Sequence, residues 1–379
     1  MKNIFTYIFT LILLVGCTGG GTPFDHTLFS EVIYSPTHAT GFEIRGCEEG
    51  NSTLIVVKNP WQGADDVEQM LLIDRDGTFN TSGTDIQRID HDAKRIICMS
   101  SSYVAMLSTI DKQEAIAGVS GINFISDEYV AANSDKIGDV GYDNNINYEM
   151  VVALNPDLVL LYGVMGASGM ESKLRELGIP YLYLGEYVES SPLGKAEWMV
   201  AVGEITGARD KAVEIFSTIS ERYTVLATEV SLATKERKQV MLNTPYRDSW
   251  FIPSEQNYIA RIIRDAGGEP FTIAGTGNSS QPIDIEQAYI WASEADVWLN
   301  VGACNSLEEL IRQNPKFADV KAVREKRVYN NNARQTTQGG SDFWESGVVQ
   351  PDVILEDLIR IIHPTLLSTG ELYYYKQLK

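Results

Sequence analysis

The chain has 379 residues, of which 44% are hydrophobic and 22% charged, a composition typical of folded globular proteins and unlike that of disordered or fibrous ones. The formal net charge is −20, from 51 acidic and 31 basic side chains, so the surface would repel a polyanion and nucleic acid is excluded as a partner. At this length we expect two or three domains.

The amino-terminal residues have the pattern of a secretion signal. Lys2 precedes an apolar run at residues 4–15, which is too short to span a bilayer. Leu14-Val15-Gly16-Cys17 resembles the lipobox of bacterial lipoproteins, in which Cys17 is lipidated, and the small residues after it read as a flexible tether. An ordinary cleaved signal is the alternative. The pattern predicts an exported, membrane-anchored lipoprotein that faces the periplasm or the outside of the cell membrane.

The periodicity of apolar residues changes near Asp90. Before it, apolar and polar residues alternate between turn signals such as Asp76-Gly77, which predicts short strands and hairpins. After it, apolar strands alternate with amphipathic helices, which predicts β-α units around a mainly parallel sheet.

The α/β part repeats one plan. A helix opened by Glu149 is followed by a strand beginning at Asp157, and a helix opened by Glu286 is followed by a strand beginning at Asp296. Between these halves, residues 208–235 keep one face apolar and predict a helix about 40 Å long. Two lobes joined in this way leave a cleft between them, and such clefts are common ligand sites.

The predicted organisation has six parts. They are a lipoprotein signal peptide (1–16), a flexible tether (17–26), a β-rich extension (27–90), a first α/β lobe (91–207), a linking helix (208–235) and a second α/β lobe (236–379).

Six short segments stand in order along the α/β part. They are residues 95–100, Ile116-Ala117-Gly118-Val119, Ile137-Gly138-Asp139-Val140-Gly141 leading to Asn155-Pro156-Asp157-Leu158-Val159, Leu177-Gly178-Ile179-Pro180, Asp265-Ala266-Gly267-Gly268 and residues 323–329. Together they resemble the class III periplasmic binding proteins, which receive ferric siderophores, haem, vitamin B12 and some metals for ABC importers. The resemblance covers about Asp90 to Pro364, and the β-rich extension departs from the common pattern.

The resemblance implies two Rossmann-like α/β lobes joined by a long α-helix, a binding rather than an enzymatic role, and an importer permease with its ATPase as partners. We also expect a monomer that needs no cofactor. In this family one glutamate on each lobe pairs with permease arginines, which implies docking roles for Glu149 and Glu286. The alternative for both is local, because a carboxylate in the first turn stabilises a helix.

The cleft walls should come from loops at the carboxyl ends of strands. These loops contain the predicted ligand-binding residues Tyr103, Phe124, Tyr142, Tyr162, Tyr246, Arg247, Trp250, Arg334 and Trp344. Aromatic side chains suit a large, flat or greasy chelate, and the two arginines suit its anionic groups. The alternatives are ordinary packing for each aromatic residue and, for each arginine, a surface ion pair such as Arg247 with Asp248.

The sequence lacks the residue patterns that metal, dinucleotide and hydrolase sites require. The four histidines are scattered and outside these loops, so capture of a bare metal ion is disfavoured. Residues 163–169 form a glycine-rich loop with the wrong spacing for a dinucleotide, and the sequence has no Gly-x-Ser-x-Gly elbow.

The leading hypothesis is therefore capture of an iron-siderophore-like metal chelate. A corrinoid or haem receptor of the same family stays open. So do two other classes of protein, an exported α/β enzyme acting on a glycan or nucleotide and an adhesion lipoprotein that uses the amino-terminal hairpins.

Overall fold

The computed structural model describes residues 22–48, 50–142, 144–247, 249–275 and 278–379. Within these ranges the chain forms three five-stranded sheets, one in an amino-terminal extension (residues 22–89) and one in each of two α/β lobes. The predicted signal peptide and Cys17 lie outside the described residues. In the described part of the chain, no helix combines the length and the apolar character needed to cross a membrane.

The extension is a mainly antiparallel sheet. Its strands are β1 (Thr22–Pro23), β2 (Glu31–Tyr34), β3 (Phe42–Gly46), β4 (Thr53–Lys58), β5 (Glu68–Ile73), β6 (Phe79–Asn80) and β7 (Gln87–Ile89), and the sheet order is β2-β3-β4-β5-β7. The central strand β4 is buried on both faces because alternate residues enter different cores. Leu54 and Val56 pack in a small cluster with Phe29, whereas Ile55 and Val57 join the main core shared with the first lobe.

The first lobe is built on a parallel sheet of order β10-β9-β8-β13-β14. Its strands are β8 (Ile96–Cys98), β9 (Ile116–Val119), β10 (Gly138–Asp139), β11 (Gly141–Tyr142), β12 (Asn145–Ile146), β13 (Leu158–Leu161) and β14 (Tyr181–Tyr183). Its helices are α1 (Ser101–Thr109), α2 (Glu128–Ala132), α3 (Tyr148–Leu154), α4 (Glu171–Leu177), α5 (Pro192–Glu197) and α6 (Met199–Ile205). Strand β13 is an uninterrupted buried apolar run, as expected for a parallel strand covered on both faces.

One long helix, α7 (Arg209–Ala233), leads from the first lobe to the second. Its 25 residues give it a length of about 37 Å. It buries Ala212, Phe216, Tyr223 and Val230, which share one face because they recur near the helical period.

The second lobe repeats the α/β plan with a sheet of order β17-β15-β19-β20-β21, in which β21 is an antiparallel edge. Its strands are β15 (Lys238–Leu242), β16 (Trp250–Pro253), β17 (Gly268–Pro270), β18 (Ser280–Ile283), β19 (Val297–Leu299), β20 (Val328–Asn330) and β21 (Lys376–Gln377). Its helices are α8 (Tyr258–Asp265), α9 (Ile285–Glu294), α10 (Leu307–Gln313), α11 (Lys321–Arg324), α12 (Ser346–Val349) and α13 (Pro351–Ile362). The predicted fold, two α/β lobes joined by a long helix, is confirmed.

Two buried carboxylates of the first lobe hold the extension. Glu189 and Glu197 are 3% and 0% exposed, and between them they accept the backbone N–H groups of residues 37 to 41 at 2.6–3.0 Å. Glu197 also accepts the hydroxyl of Tyr34 at 2.7 Å. Successive N–H groups form a concave anion-binding surface, which offsets the cost of burying the charge. The segment between β2 and β3 is therefore fixed on α5 and on the turn that precedes it.

A third buried carboxylate of the first lobe also binds the extension. Glu204, 3% exposed at the end of α6, accepts the hydroxyl of Thr53 at 2.7 Å and pairs with Arg75 at 2.9 Å and Arg209 at 3.1 Å. Thr53 and Arg75 belong to the extension, whereas Arg209 begins α7. The same carboxylate thus joins the extension, the first lobe and the linking helix.

The extension also covers a sheet edge. Strand β14 is the last strand of the first-lobe sheet, and the side-chain oxygens of Gln87 and Gln69 accept the N–H groups of Tyr181 and Tyr183 at 3.2 and 3.4 Å. An exposed edge is prone to unwanted strand pairing, so this cover protects the lobe.

Replacement of Glu197 by alanine should destabilise the protein strongly. It removes the acceptor of three N–H groups, those of residues 37 and 38, which are part-buried, and that of Ala39, which is buried, and we expect the free energy of unfolding to fall by roughly 3–5 kcal/mol. Urea denaturation measures this, with Glu229→Ala on the exposed face of α7 as the matched control, expected to change stability by about 0.5 kcal/mol or less. Equal stability of the two variants would contradict the assigned role.

Candidate functional site

The lobes meet through loops at the carboxyl ends of their strands. The loop after β9, residues 120–126, contacts the loop after β20, residues 331–345. The backbone N–H of Ser126 donates to both oxygens of the Glu345 carboxyl group, at 2.8 and 3.1 Å. Gly340 packs so closely on the backbone of Phe124 that any Cβ there would collide with its carbonyl group. This edge of the sheets is where α/β proteins place ligands.

Glu345 is an unusual carboxyl group in this contact. It is 2% exposed, and burial, together with the negative charges of Asp342 and Asp127, raises its pKa to about 8. The hydrogen bond from the Ser126 N–H opposes this shift but does not cancel it. Glu345 therefore holds its proton to a higher pH than an ordinary glutamate does.

A second contact between the lobes involves the extension. The Asn278 side chain of the second lobe donates to the carbonyl oxygen of Tyr187 in the first lobe at 2.6 Å. The Gln62 side chain of the extension donates to the carbonyl oxygen of Asn278 at 3.3 Å. The extension therefore touches both lobes at the edge of the cleft, a role that the sequence pattern did not indicate.

The predicted aromatic residues of the first lobe include an exposed pair. Phe124 and Tyr142 are 44% and 49% exposed, and their ring centroids lie 6.3 Å apart at 75°. Tyr162, directly after β13, is half-buried and packs against the core. Two adjacent exposed rings provide rigid apolar area for a ligand.

The second lobe supplies exposed aromatic residues and a cation. Tyr246 is 63% exposed, with the guanidinium of Arg247 5.3 Å from its ring centroid, and Trp344 is 48% exposed. Arg247 has a φ of 57°, a left-handed conformation that is uncommon for arginine and is often found at functional sites. Among the residues that the structure describes, Arg247 makes no ion pair.

Arg334 forms an ion pair with a carboxylate of its own lobe. It pairs with Asp342 at 2.8 Å, and its guanidinium lies 4.5 Å from the ring centroid of Tyr373. The hydrogen bond to Asp342 raises the pKa of Arg334, so the arginine keeps its charge. With its side chain 47% exposed, it can still reach an anionic ligand group.

Tyr103 does not line a cleft, contrary to the sequence interpretation. Residues 101–103 form the first turn of α1 instead of a loop, and Tyr103 faces the sheet with no exposed surface. Its hydroxyl donates to the carbonyl oxygen of Leu161 at 3.0 Å and lies 3.3 Å from a carboxylate oxygen of Glu186. Burial raises the pKa of Tyr103.

Trp250 is the second correction. It begins strand β16, is fully buried, and packs its ring against Trp298 and Phe317 with centroids 5.6 and 5.1 Å away. Its indole N–H donates to the carbonyl oxygen of Leu242 at 2.7 Å. Tyr103 and Trp250 are fully buried, so neither can contact a ligand.

Glu149 and Glu286 occupy matching positions in the two lobes. Each is the second residue of its helix, α3 or α9, and each is exposed. The preceding caps also match, because the side chains of Asn147 and Asp284 accept backbone N–H groups at 3.0 and 2.7 Å. Both side chains are open to solvent.

Asparagines at the carboxyl ends of second-lobe strands leave polar atoms unused. In the described part of the chain, Oδ1 of Asn300, Nδ2 of Asn331 and Oδ1 of Asn332 are buried without a hydrogen-bond partner. Asn300 follows β19, and the other two follow β20. Buried polar atoms of this kind are available to a polar ligand or to water. The sequence interpretation did not include these three asparagines among the candidate residues.

The described residues contain no group of three or more His, Cys, Asp or Glu side chains placed to hold a metal ion. In the part of the chain that the structure describes, Cys98 and Cys304 are buried or nearly so and form no disulfide.

This chain is similar in sequence to known proteins. The periplasmic binding protein family matches residues 96–334. An uncharacterized lipoprotein of Methanocaldococcus jannaschii is 25% identical over 304 residues, which cover 77% of this chain and 70% of that protein. An uncharacterized ABC transporter substrate-binding lipoprotein of Bacillus subtilis is 22% identical over 286 residues, which cover 73% of this chain and 82% of the relative.

Solved structures show the same fold at low sequence identity. A periplasmic heme binding protein from Pseudomonas aeruginosa superposes with a TM-score of 0.58 at 16% identity, over 76% of this chain and 98% of that one. An ABC-type Fe3+-hydroxamate transport system protein from Saccharomonospora viridis gives a TM-score of 0.55 at 16% identity, over 72% and 94% of the two chains. The chain belongs to the periplasmic binding protein family, whose members are exported, non-enzymatic substrate-binding proteins that work with the permease and ATPase of ABC transporters.

Proposed function

We propose that this protein captures a bulky, iron-siderophore-like metal chelate between its lobes and delivers it to an ABC importer permease. The observation that supports the proposal is the exposure of predicted aromatic residues in both lobes, Phe124 and Tyr142 in the first and Tyr246 and Trp344 in the second. A bare ion would gain nothing from such surfaces, whereas a large chelate buries them.

The choice among chelates rests on charge. Arg247 and Arg334 place two cations in loops of an otherwise acidic protein, which suits carboxylate, catecholate or hydroxamate oxygens around a ferric ion. A haem or corrinoid receptor is the alternative. The names of the two superposed structures, one heme-binding and one for Fe3+-hydroxamate transport, support the class of ligand and do not choose within it.

Capture should need a small movement. The lobes already touch through Ser126 with Glu345 and through Asn278 with Tyr187, and α7 fixes their spacing. Much of the affinity then comes from a preformed pocket, because little ordering is needed on binding.

Delivery and anchoring complete the proposal. Glu149 and Glu286 dock on arginines of the permease, one from each lobe, because arginine–carboxylate pairs fix geometry as well as charge. Cys17, outside the described residues, carries the lipid that keeps the receptor at the membrane.

Removal of the exposed ring pair should weaken chelate binding. We expect Phe124→Ala combined with Tyr142→Ala to lower affinity about tenfold or more, because the rings no longer cover the ligand. Quenching of tryptophan fluorescence by haem, a ferric hydroxamate siderophore or cyanocobalamin measures it. Tyr289→Ala, at a residue 44% exposed on α9, is the control and should bind as wild type does. If wild type binds none of the three probes, the proposal is refuted.

Charge reversal at the docking positions should separate binding from transport. Glu149→Lys with Glu286→Lys is expected to leave chelate affinity unchanged and to abolish uptake by cells, because the two lysines would repel permease arginines. Glu221→Lys with Glu229→Lys, an equal charge change on exposed positions of α7, should transport normally. Loss of ligand affinity in the first variant would show that the two glutamates belong to the ligand site.

The contact at Glu345 should make stability depend on pH. Its pKa is about 8 in the folded protein against an ordinary 4.5, so the folded state holds an extra proton between these values and loses stability as pH rises through them. Relative to Glu345→Gln, the free energy of unfolding of wild type should fall by roughly 2–4 kcal/mol from pH 5 to pH 8.

Urea denaturation at several pH values measures this difference, and other titrating groups cancel because both proteins contain them. Glu236→Gln, at an exposed position, should keep the wild-type pH dependence. A difference between wild type and Glu345→Gln that stays constant with pH would contradict the raised pKa.

A further inference from the structure

The glycine-rich loop at residues 163–169 has no role in the site described so far. It follows β13, a central strand of the first-lobe sheet, and so lies at the edge of the sheet where the cleft loops stand. Its tip is apolar and open to solvent, with Val164 38% exposed and Met165 86% exposed. An apolar side chain held so far out of the core gains free energy when a partner covers it.

The extension holds one side of this loop. The backbone N–H of Gln62 donates to the carbonyl oxygen of Val164 at 3.1 Å. Trp61 packs edge-on against Tyr183 with centroids 5.1 Å apart, and its side chain lies on Gly163, where an added Cβ would come within 2.9 Å of it. Only glycine allows the indole to sit this close to the start of the loop.

The first lobe holds the other side. The hydroxyl oxygen of Tyr183 accepts the N–H of Ser168 at 2.6 Å, and the hydroxyl donates to a carboxylate oxygen of Glu171 at 2.7 Å. Between the two anchors, Gly166 has a φ of 155°, with open space around its Cα. The base of the loop is therefore fixed while its tip projects freely.

We infer that Val164 and Met165 form an apolar contact for the ring or hydrocarbon face of the bound chelate, and that Trp61 and Gln62 of the extension are positioning residues that hold this contact in place. The inference rests on the proposed capture of a chelate and names a further part of that site. Methionine suits this role, because its unbranched, polarizable side chain adapts to an irregular apolar surface. The contact between Gln62 and Asn278 places the same extension loop beside the second lobe, so a ligand in the cleft meets three parts of the chain.

The contact is tested by Met165→Ser in the full-length protein. We expect about tenfold weaker binding of whichever probe wild type binds best among haem, a ferric hydroxamate siderophore and cyanocobalamin, because a buried methionine contributes about that factor. Met165→Leu should retain most of the affinity. Leu232→Ser removes an equally exposed apolar residue from α7, 84% exposed against 86%, and should bind as wild type does.

The positioning role is tested without ligand. In Trp61→Ala, hydrogen–deuterium exchange of residues 163–169 should accelerate about tenfold while residues 158–161 of β13 keep wild-type exchange. Trp61→Phe keeps an apolar ring on Gly163 and should restore most of the protection. Unchanged exchange in Trp61→Ala would overturn the positioning role.

The results for wild type and Met165→Ser distinguish failure of this inference from failure of the proposed function. If wild type binds a probe and Met165→Ser binds it as tightly as Leu232→Ser does, the tip makes no contact and this inference alone is overturned. If wild type binds none of the probes, the chelate proposal fails, and the inference falls with it.

Discussion

Three buried carboxylates fix the arrangement on which the rest of this structure depends. Glu189, Glu197 and Glu204 lie within 16 positions of one another in the first lobe, and each receives donors from the extension. A buried anion without donors is costly, and the observed orientation of the extension supplies donors to all three. The sheet is thus an integral part of the first lobe, and its covered edge at β14 follows from the same placement.

The fixed extension shapes the cleft. Because β4 is held on the first lobe, the loop that follows it reaches the carboxyl end of the first-lobe sheet, where Trp61 packs on Tyr183 and Gln62 reaches Asn278. The region where the two lobes meet is then bordered by one inserted loop of the extension, and α7 connects the lobes. Such a frame favours recognition by a preformed surface over recognition by large closure.

The sequence predicted the strands and helices better than it predicted which side chains are buried between them. Alternating apolar residues and the repeated plan around Glu149 and Glu286 were sufficient for two α/β lobes, because these patterns reflect burial that is local to each strand and helix. Tyr103 was misplaced because the helix start at Ser101 turns its side chain towards the sheet. Trp250 was misplaced because a strand was not expected there.

The role of the extension could not be predicted from the sequence, for a different reason. Glu197 meets its partners about 160 positions away along the chain, and no local pattern marks a glutamate that will be buried against backbone N–H groups.

Native-state hydrogen exchange tests most directly the central claim that the extension is an integral part of the first lobe. If the extension is integral to the lobe, the amides of residues 38–41 exchange with the same opening free energy as those of β8 and β13. Exchange of these amides at a much lower opening free energy than that of the lobe would contradict the account.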